Sequence, residues 1–445
     1  MSMGTGRSGS GQIPSGGSVT DPAMGAAAAT GPESGPLYPN LRHLRLLEAA
    51  ERLGSLTAAA ETLLISQPAA SQAVSRLNGL FGGKLLERRG NGVYATERGL
   101  IVARRTRRLL DLIRGYSHTN LRRWRGAAME REIALENHLT ISHIRAVSAV
   151  GRMGSFSGAA RFLGQTEPNV QRAARELEGI VDAKLFVGGV KGMHLTEGGQ
   201  DLARIANLAL KELDSTFDEV REHEGAYDGK VVVGTLPLVR AQIVPEAAVA
   251  LSQLYPDATI SILDGTFEDL IQALESGAID MLLGALRPEL ATASLVQEAL
   301  FQDQLAVVAR ASHPLLQRNQ ISLTDLQEFP WVLPRPETPT RRLFDSLVQS
   351  GALPRETRGC IETGSLVALR GILIETDYLT IVSPRQIQLE LKAGLLKVLP
   401  VPLTGSARPI GLTTRANWQP TRLQRDFLQG LRAIVAAHAG EDGVA

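Results

Sequence analysis

The sequence predicts a mixed fold of two all-α helix-turn-helix modules in tandem, each with a small hairpin, followed by a two-lobed α/β domain. Three observations predict it. Displacing the chain by 100 positions aligns residues 41–99 with 141–199 without a gap, with nineteen identities over 59 positions. Basic charge gathers in the first copy, where residues 40–137 hold seventeen Lys and Arg against nine Asp and Glu although the whole chain nets only +1. From Gly229 onward the helical period gives way to β-branched runs alternating with amphipathic stretches.

Residues 1–38 are a Gly, Ala, Ser and Pro run, expected to be a disordered tail. The tail lacks a charged region ahead of an apolar one, and no eighteen apolar residues run unbroken anywhere in the chain. A cytoplasmic chain without a membrane partner is expected. At 445 residues and 44% hydrophobic content it suffices for two or three domains. The single cysteine, Cys360, cannot close an intrachain disulfide, and the eight histidines show no metal-ligand spacing, so neither metal nor cofactor is expected.

The first module occupies 39–99. Leu44, Leu47, Ala50 and Leu53 keep helical spacing until Gly54 and Ser55 stop the helix, and Thr57 is placed to cap a short second helix through Ala58, Ala59, Ala60 and Leu63. Ser66 is placed to cap a third helix whose first turn holds Gln67 and Pro68. Ala70, Ala73, Val74 and Leu77 then face inward, leaving Gln67, Ser71, Gln72, Ser75 and Arg76 outward, as major-groove base reading requires. Lys84, Arg88 and Arg89 lead into a Gly90, Asn91, Gly92 turn and a strand over Val93 to Thr96, a wing that sets cations beside a phosphate backbone.

The second module, 138–199, keeps the core but alters the reading face. Glu167, Gln171 and Glu176 replace Gln67, Ser71 and Arg76, and Gly188 and Gly189 replace the wing arginines, so it is expected to be a degenerate copy serving as spacer, dimer contact or weak reader. The alternative is that Asn169, Gln171, Arg172 and Arg175 read a second sequence. A linker helix follows each module within 100–137 and 200–225. The first carries Arg104, Arg105, Arg107 and Arg108 on one side, and the second repeats apolar residues at Leu202, Ile205, Ala209, Leu213, Phe217 and Val220.

The region 226–440 alternates strand and helix from Val231 to Val233 onward. Phe301 to Arg310 reads as a strand entering a second lobe, and Leu395 to Pro402 as the return. Two crossings imply a cleft walled by strand ends and helix N-termini. Catalysis is not expected, because no phosphate loop, nucleophile elbow or metal cluster appears, His313 reads as part of a surface turn, and Cys360 as a buried small residue.

The segment GSLTAAAETLLISQPAASQAVSRLNGLFGGKLLERRGNGVYATERG resembles the winged helix-turn-helix of LysR-type transcriptional regulators. VGTLPL, IDMLLGALRPE, PWVLP and RPIGLTTRANW resemble the periplasmic-binding-protein-like effector domain of that family, particularly its galactose-binding-protein regulator subgroup. Two departures stand out: a member normally has one module, and Asn78 and Gly79 replace an acidic pair that closes the recognition helix. The resemblance implies a sequence-specific regulator whose DNA-binding residues are Ser66, Gln67, Pro68, Ser71, Gln72, Arg76, Arg88 and Arg89. It further implies a small-molecule effector, a sugar or an aromatic or other organic acid, touching Thr235, Leu236, Pro237, Thr363, Gly364 and Ser365. For Thr363 and Ser365, plain helix capping fits the residues equally. Implied partners are double-stranded DNA, RNA polymerase and further copies in a homodimer or homotetramer, with 200–225 as the dimer helix or, alternatively, an internal amphipathic helix. A DNA-architectural or partner-interaction protein that has lost ligand control is the competing reading.

Overall fold

A computed structural model describes residues 38–441 except 91, 117–133, 190–191, 288–289, 291–293, 337 and 354–358. The expected tail, apart from Tyr38, lies outside the described residues. Module one runs α1 (Leu41–Leu53), α2 (Leu56–Thr62), α3 (Gln67–Leu80), β1 (Leu86–Arg89), β2 (Gly92–Ala95) and the linker helix α4 (Glu97–Tyr116). A short α5 (Leu135–His138) leads into module two: α6 (Ile141–Met153), α7 (Phe156–Leu163), α8 (Glu167–Val181), β3 (Phe186–Gly189), β4 (Gly192–Leu195) and the linker helix α9 (Glu197–His223).

The recurring residues do the same work twice. Gly54 and Gly154 close α1 and α6 at φ of 64° and 63°, where a side chain would strain the backbone. A Cβ on Gly99 or Gly199 would lie 1.9 or 2.4 Å from the Leu85 or Leu185 carbonyl oxygen, so only glycine lets each linker helix pass its wing. Asn78 is not a defect: its Oδ1 accepts the Leu85 N–H at 2.9 Å, as Glu178 Oε1 accepts that of Leu185 at 2.9 Å. One expectation needs correcting. Ser55, not Thr57, caps α2 by accepting the Ala58 N–H at 3.2 Å. Ser55 is the residue left outside the helix by the preceding Gly54 turn, so its hydroxyl is the one aimed back at the open N–H groups.

The linker helices run antiparallel against each other and share one apolar core with both modules. Their seam is ionic at one end. Arg105, with its side chain 1% exposed, donates to Glu212 at 2.8 Å, to Glu219 at 2.7 Å and to the Gln419 carbonyl at 3.0 Å. Arg108 adds bonds to Glu212 at 3.0 and 3.2 Å, and Arg104 pairs with Glu219. The arginine row predicted on the first linker helix therefore faces carboxylates of the same chain rather than a polyanion, with Arg107 likewise held by Glu48 and Glu51.

In the C-terminal region β5 (Lys230–Thr235) opens a five-stranded sheet, in which it lies between two parallel neighbours. Around it lie α10 (Pro237–Arg240), α11 (Ile243–Leu254), β6 (Thr259–Asp264), α12 (Phe267–Glu275), β7 (Met281–Ala285), β8 (Leu295–Gln304), β14 (Ala407–Arg415) and α16 (Arg422–Glu441). The strand order is β6-β5-β7-β14-β8, parallel around β5 and antiparallel where the returning β14 enters.

The second lobe is built on β9 (Ala306–Arg310), flanked antiparallel by β12 (Thr380–Val382) and β13 (Leu396–Val398). A bridge from Trp331 to Leu379 adds β10 (Trp331–Leu333) and β11 (Cys360–Glu362), with α13 (Pro339–Gln349), α14 (Leu366–Glu375) and α15 (Gln388–Lys392) around them. The strand expected over 301–310 thus breaks at Leu305 into one strand per lobe. The return strand near 395–402 pairs with β9 and still belongs to the second lobe. Periodicity marks both as extended but cannot say which sheet receives them. A buried polar knot closes the junction: Asp303 accepts Ser383 Oγ at 2.6 Å and Arg408 Nε at 3.1 Å.

Two further expectations are overturned. His313 is fully buried against Phe329, its Nδ1 accepting the Leu315 N–H at 3.2 Å and its Nε2 donating to the Asp377 carbonyl at 3.2 Å. It caps a turn inside the second lobe. Cys360 is exposed, on a strand whose three residues are all exposed, while its register partner Trp331 is fully buried. Partial burial and the Glu362 carboxylate raise the pKa of its thiol, which argues against an activated thiolate.

Two predictions follow from this packing. Arg105→Met removes the central cation from a buried cluster and should cost about 3 kcal/mol in urea unfolding. The triple substitution with Glu212→Gln and Glu219→Gln should recover part of that loss. A loss from Arg105→Met below about 1 kcal/mol would show that apolar residues alone hold the seam. His313 has its pKa lowered chiefly by burial, so the unfolded chain binds more protons near its ordinary value of 6.5. Stability should be full above that pH and decline as pH falls below it, and His313→Asn should be less stable at pH 8 but lose less between pH 7 and 5.

Candidate DNA interface and effector cleft

α3 begins where Ser66 accepts the Ala69 N–H at 3.4 Å with Pro68 in the first turn, and Ala70, Ala73 and Leu77 bury its inner side. Ser66, Gln67, Pro68, Ser71, Gln72 and Arg76 are all exposed. Gln67 Nε2 donates to Thr57 Oγ1 at 2.9 Å, which ties the first residue of α3 to α2 and orients its amide. Ser71, Gln72, Ser75 and Arg76 make no hydrogen bond or ion pair among the described residues, so this face is open to an outside partner. On the wing, Arg88 is exposed and Arg89 is held by Glu87 at 2.5 Å. The structure therefore brings the helix residues together on one face and adds Lys84, which is exposed at the start of the wing.

The matching face of α8 is occupied by its own neighbours. Gln171 donates to Glu167 at 2.8 Å, Arg172 to Asn169 at 2.9 Å and Arg175 to Glu178 at 2.8 Å, while Glu176 lies 3.1 Å from His143 Nε2. Against the penalty of burial, the Leu185 and Phe186 N–H groups and Arg175 hold the Glu178 carboxyl below its usual pKa. These local pairs could have been found in the sequence from the i, i+3 and i, i+4 spacings of opposite or complementary groups.

In the two-lobed region the six candidate residues fall into two groups. Thr235 is fully buried and its hydroxyl donates to the Leu263 carbonyl at 3.1 Å, while the Leu236 N–H donates to Leu283 at 2.9 Å. Pro237 is exposed at the start of α10, which packs against the turn Pro384–Ile387 of the other lobe. Thr363, Gly364 and Ser365 precede α14: Thr363 Oγ1 accepts the Ser365 N–H at 3.0 Å and Ser365 Oγ accepts that of Ala368 at 3.3 Å. Arg370 on α14 donates to the Gln386 carbonyl at 2.8 Å, so the helices that carry both groups border the same Pro384–Ile387 turn.

Sequence reasoning missed Arg335, an exposed cation whose Nε lies 3.0 Å from where a Cβ on Gly364 would stand. It is separated from α14 by some thirty residues, and only the parallel pairing of β10 with β11 brings it there. Among the described residues there is no cluster of metal-ligating side chains, and no helix is long and apolar enough to cross a membrane.

Comparison with known proteins agrees with this architecture. Residues 41–100 and 141–200 each match the model of the bacterial regulatory helix-turn-helix protein, lysR family, and residues 224–436 match the LysR substrate binding domain. The chain is 31% identical over 401 residues to the HTH-type transcriptional regulator GalR of Pseudomonas putida, covering 90% of this chain and 98% of that one, a span that takes in both modules. It is also 31% identical over 290 residues to the uncharacterized HTH-type transcriptional regulator YdcI of Escherichia coli, covering 65% of this chain and 94% of that one. A solved structure of a full-length OxyR variant from Pseudomonas aeruginosa shares the fold with a TM-score of 0.53 at 18% identity, covering 67% of this chain and 95% of that one. The chain therefore belongs to the LysR family of transcriptional regulators, with a duplicated DNA-binding region joined to an effector-binding domain.

Proposed function

We propose that module one is the principal reader of DNA bases, working in the cytoplasm as part of a homo-oligomer and without catalytic activity. The observation that carries this reading is the contrast between two equivalent helices: Ser71, Gln72, Ser75 and Arg76 on α3 make no side-chain hydrogen bond or ion pair among the described residues, whereas Glu167, Asn169, Gln171, Arg172, Arg175 and Glu176 on α8 are all paired. Gln67, Ser71 and Gln72 would meet base edges, Ser66 and Pro68 would fix the entry of α3 into the groove, and Arg76, Arg88, Arg89 and Lys84 would meet phosphates. Module two, lacking the wing arginines, would position the first and contribute little base reading of its own.

For the effector, the arrangement favours a small molecule carrying an anionic or strongly polarised oxygen. Thr363, Gly364 and Ser365 set the open N–H groups of α14 beside the Arg335 guanidinium, and a helix N-terminus attracts negative charge. Thr235, being buried and hydrogen-bonded, would shape the opposite wall while Leu236 and Pro237 line it.

Arg88→Ala should weaken binding to all sequences and lower the salt slope by about one unit, while Gln67→Ala should cost about 1 to 3 kcal/mol at particular base pairs only. Fluorescence anisotropy on selected duplexes at several salt concentrations measures both, and equal loss on every sequence for Gln67→Ala would contradict its base-reading role. In a thermal-shift panel of organic acids and sugars, an acid should raise the melting temperature by mass action and Arg335→Ala should remove most of that shift. A shift given by neutral sugars alone would contradict the anion assignment.

A further inference from the structure

The repeat does more than duplicate a module. Arg45 of module one reaches Asn137, in the segment that leads into module two, and its repeat counterpart Arg145 lies 5.7 Å over the ring of Tyr38, in the segment that leads into module one. Arg114 on α4 bonds Glu136 at 3.1 Å, and its counterpart Asp214 on α9 accepts the Tyr38 hydroxyl at 2.8 Å. Residue i of one copy touching residue j of the other, with j of the first touching i of the second, is the signature of a two-fold relation.

The linker helices obey the same relation. Arg98 meets Glu224, Arg108 meets Glu212, and the Tyr116 hydroxyl donates to the Gly198 carbonyl at 3.2 Å. This antiparallel register places the local axis near Leu110 and Leu210, which are each other's repeat equivalents. Crossing the axis, Phe81 of module one stacks on Phe217 of α9 at 4.9 Å, and Ile113 of α4 lies among Leu139, Ile144 and Leu177 of module two.

The pairing is also selective. Pairing α4 with a second α4 in this register would set Arg108 against Leu112, and pairing α9 with α9 would set Glu212 against Leu208, each leaving a half-buried charge without its counter-charge. Only α4 against α9 brings the guanidinium groups onto the carboxylates, so the seam rejects like partners as well as holding unlike ones.

We propose that a single chain is itself the paired winged-helix unit, with α4 and α9 forming an internal, two-fold-related dimer interface that presents α3 and α8 to one stretch of DNA. Because the two recognition helices differ at every outward position compared above, the site bound by one chain consists of a half-site read by α3 beside a second groove that α8 contacts with little base reading. This last consequence rests on the DNA-reading assignment of α3; the pairing itself does not.

The test uses the full chain with Cys360→Ser, carrying Arg98→Cys and Glu224→Cys, whose native side chains face each other across one end of the seam. Mild oxidation should give a disulfide within one chain, seen as a monomer of altered mobility on a non-reducing gel. A covalent dimer as the main product would overturn the proposal by showing the helices exchanged between copies. Co-expressing the two single-cysteine chains guards against a variant that fails to fold, and should give no more than a few per cent of disulfide-linked dimer; a dominant dimer band again overturns it.

With selected operator DNA, native mass spectrometry of the cross-linked monomer should find a smallest complex of one chain, protecting two neighbouring major-groove faces from hydroxyl radicals. A smallest complex of two chains, or protection of one face, would overturn the single-chain unit. Loss of DNA binding with the intrachain link intact would instead count against the α3 assignment.

Discussion

Arg105 is buried between Glu212 and Glu219, and much of the molecule is arranged around that contact. A guanidinium removed from water needs carboxylates in fixed positions, and only the second linker helix supplies them. The same guanidinium donates to the Gln419 carbonyl and its neighbour Arg108 bonds the Asn417 carbonyl, so the effector domain closes the third side. α9 then continues the attachment. Lys211 pairs with the buried Asp280 at 2.9 Å, and the Glu222 carboxylate accepts the first N–H groups of α16 from Arg422 at 2.8 Å and Leu423 at 3.0 Å. One helix thus carries both winged modules on one side and the first lobe on the other. Any effector that shifts the first lobe acts on the element that also spaces the recognition helices, which gives regulation a physical route of few parts.

The distribution of charge looks different once the seam is seen. The basic excess of residues 40–137 suggests a broad cationic face, yet Arg98, Arg104, Arg105, Arg107, Arg108 and Arg114 are all paired with carboxylates of this chain. Among the described residues of this block, Arg76, Lys84 and Arg88, around α3 and the wing, make no such pair and are among the cations proposed to meet phosphate. On that proposal such a set would give modest non-specific affinity and leave a larger share of the binding energy to base contacts. The basic linker helix and the acidic one after module two are the two halves of a single interface.

Much of this is legible in the sequence. The gapless repeat, the inward and outward faces of α3, the Ser66 cap with Pro68 behind it and the strand-helix alternation after Gly229 all follow from local rules that the fold obeys. What was not legible depended on distant partners. Nothing near Arg105 in the chain announces Glu212, and nothing near Gly364 announces Arg335. His313 reads as a surface residue because it precedes a proline, and its burial comes from Phe329 and Asp377 elsewhere in the second lobe. Even the repeat conceals one demand. The left-handed position that follows the second helix is Leu64 in one copy and Gly164 in the other, and the one after the recognition helix is Gly82 and Asp182, so identity is lost where the backbone requirement is kept.

Everything proposed for the DNA-bound state depends on α3 and α8 being held as a pair within one chain. Spin labels on the exposed positions Ser71 and Gln171 of the same chain, in a Cys360→Ser background, report that geometry directly by pulsed electron resonance. Mixed with a large excess of unlabelled chain, the doubly labelled protein should keep a single narrow distance, unchanged by dilution. A distance that broadens or vanishes as unlabelled chain is added would show that the recognition helices pair between copies, and the internal interface would have to be abandoned.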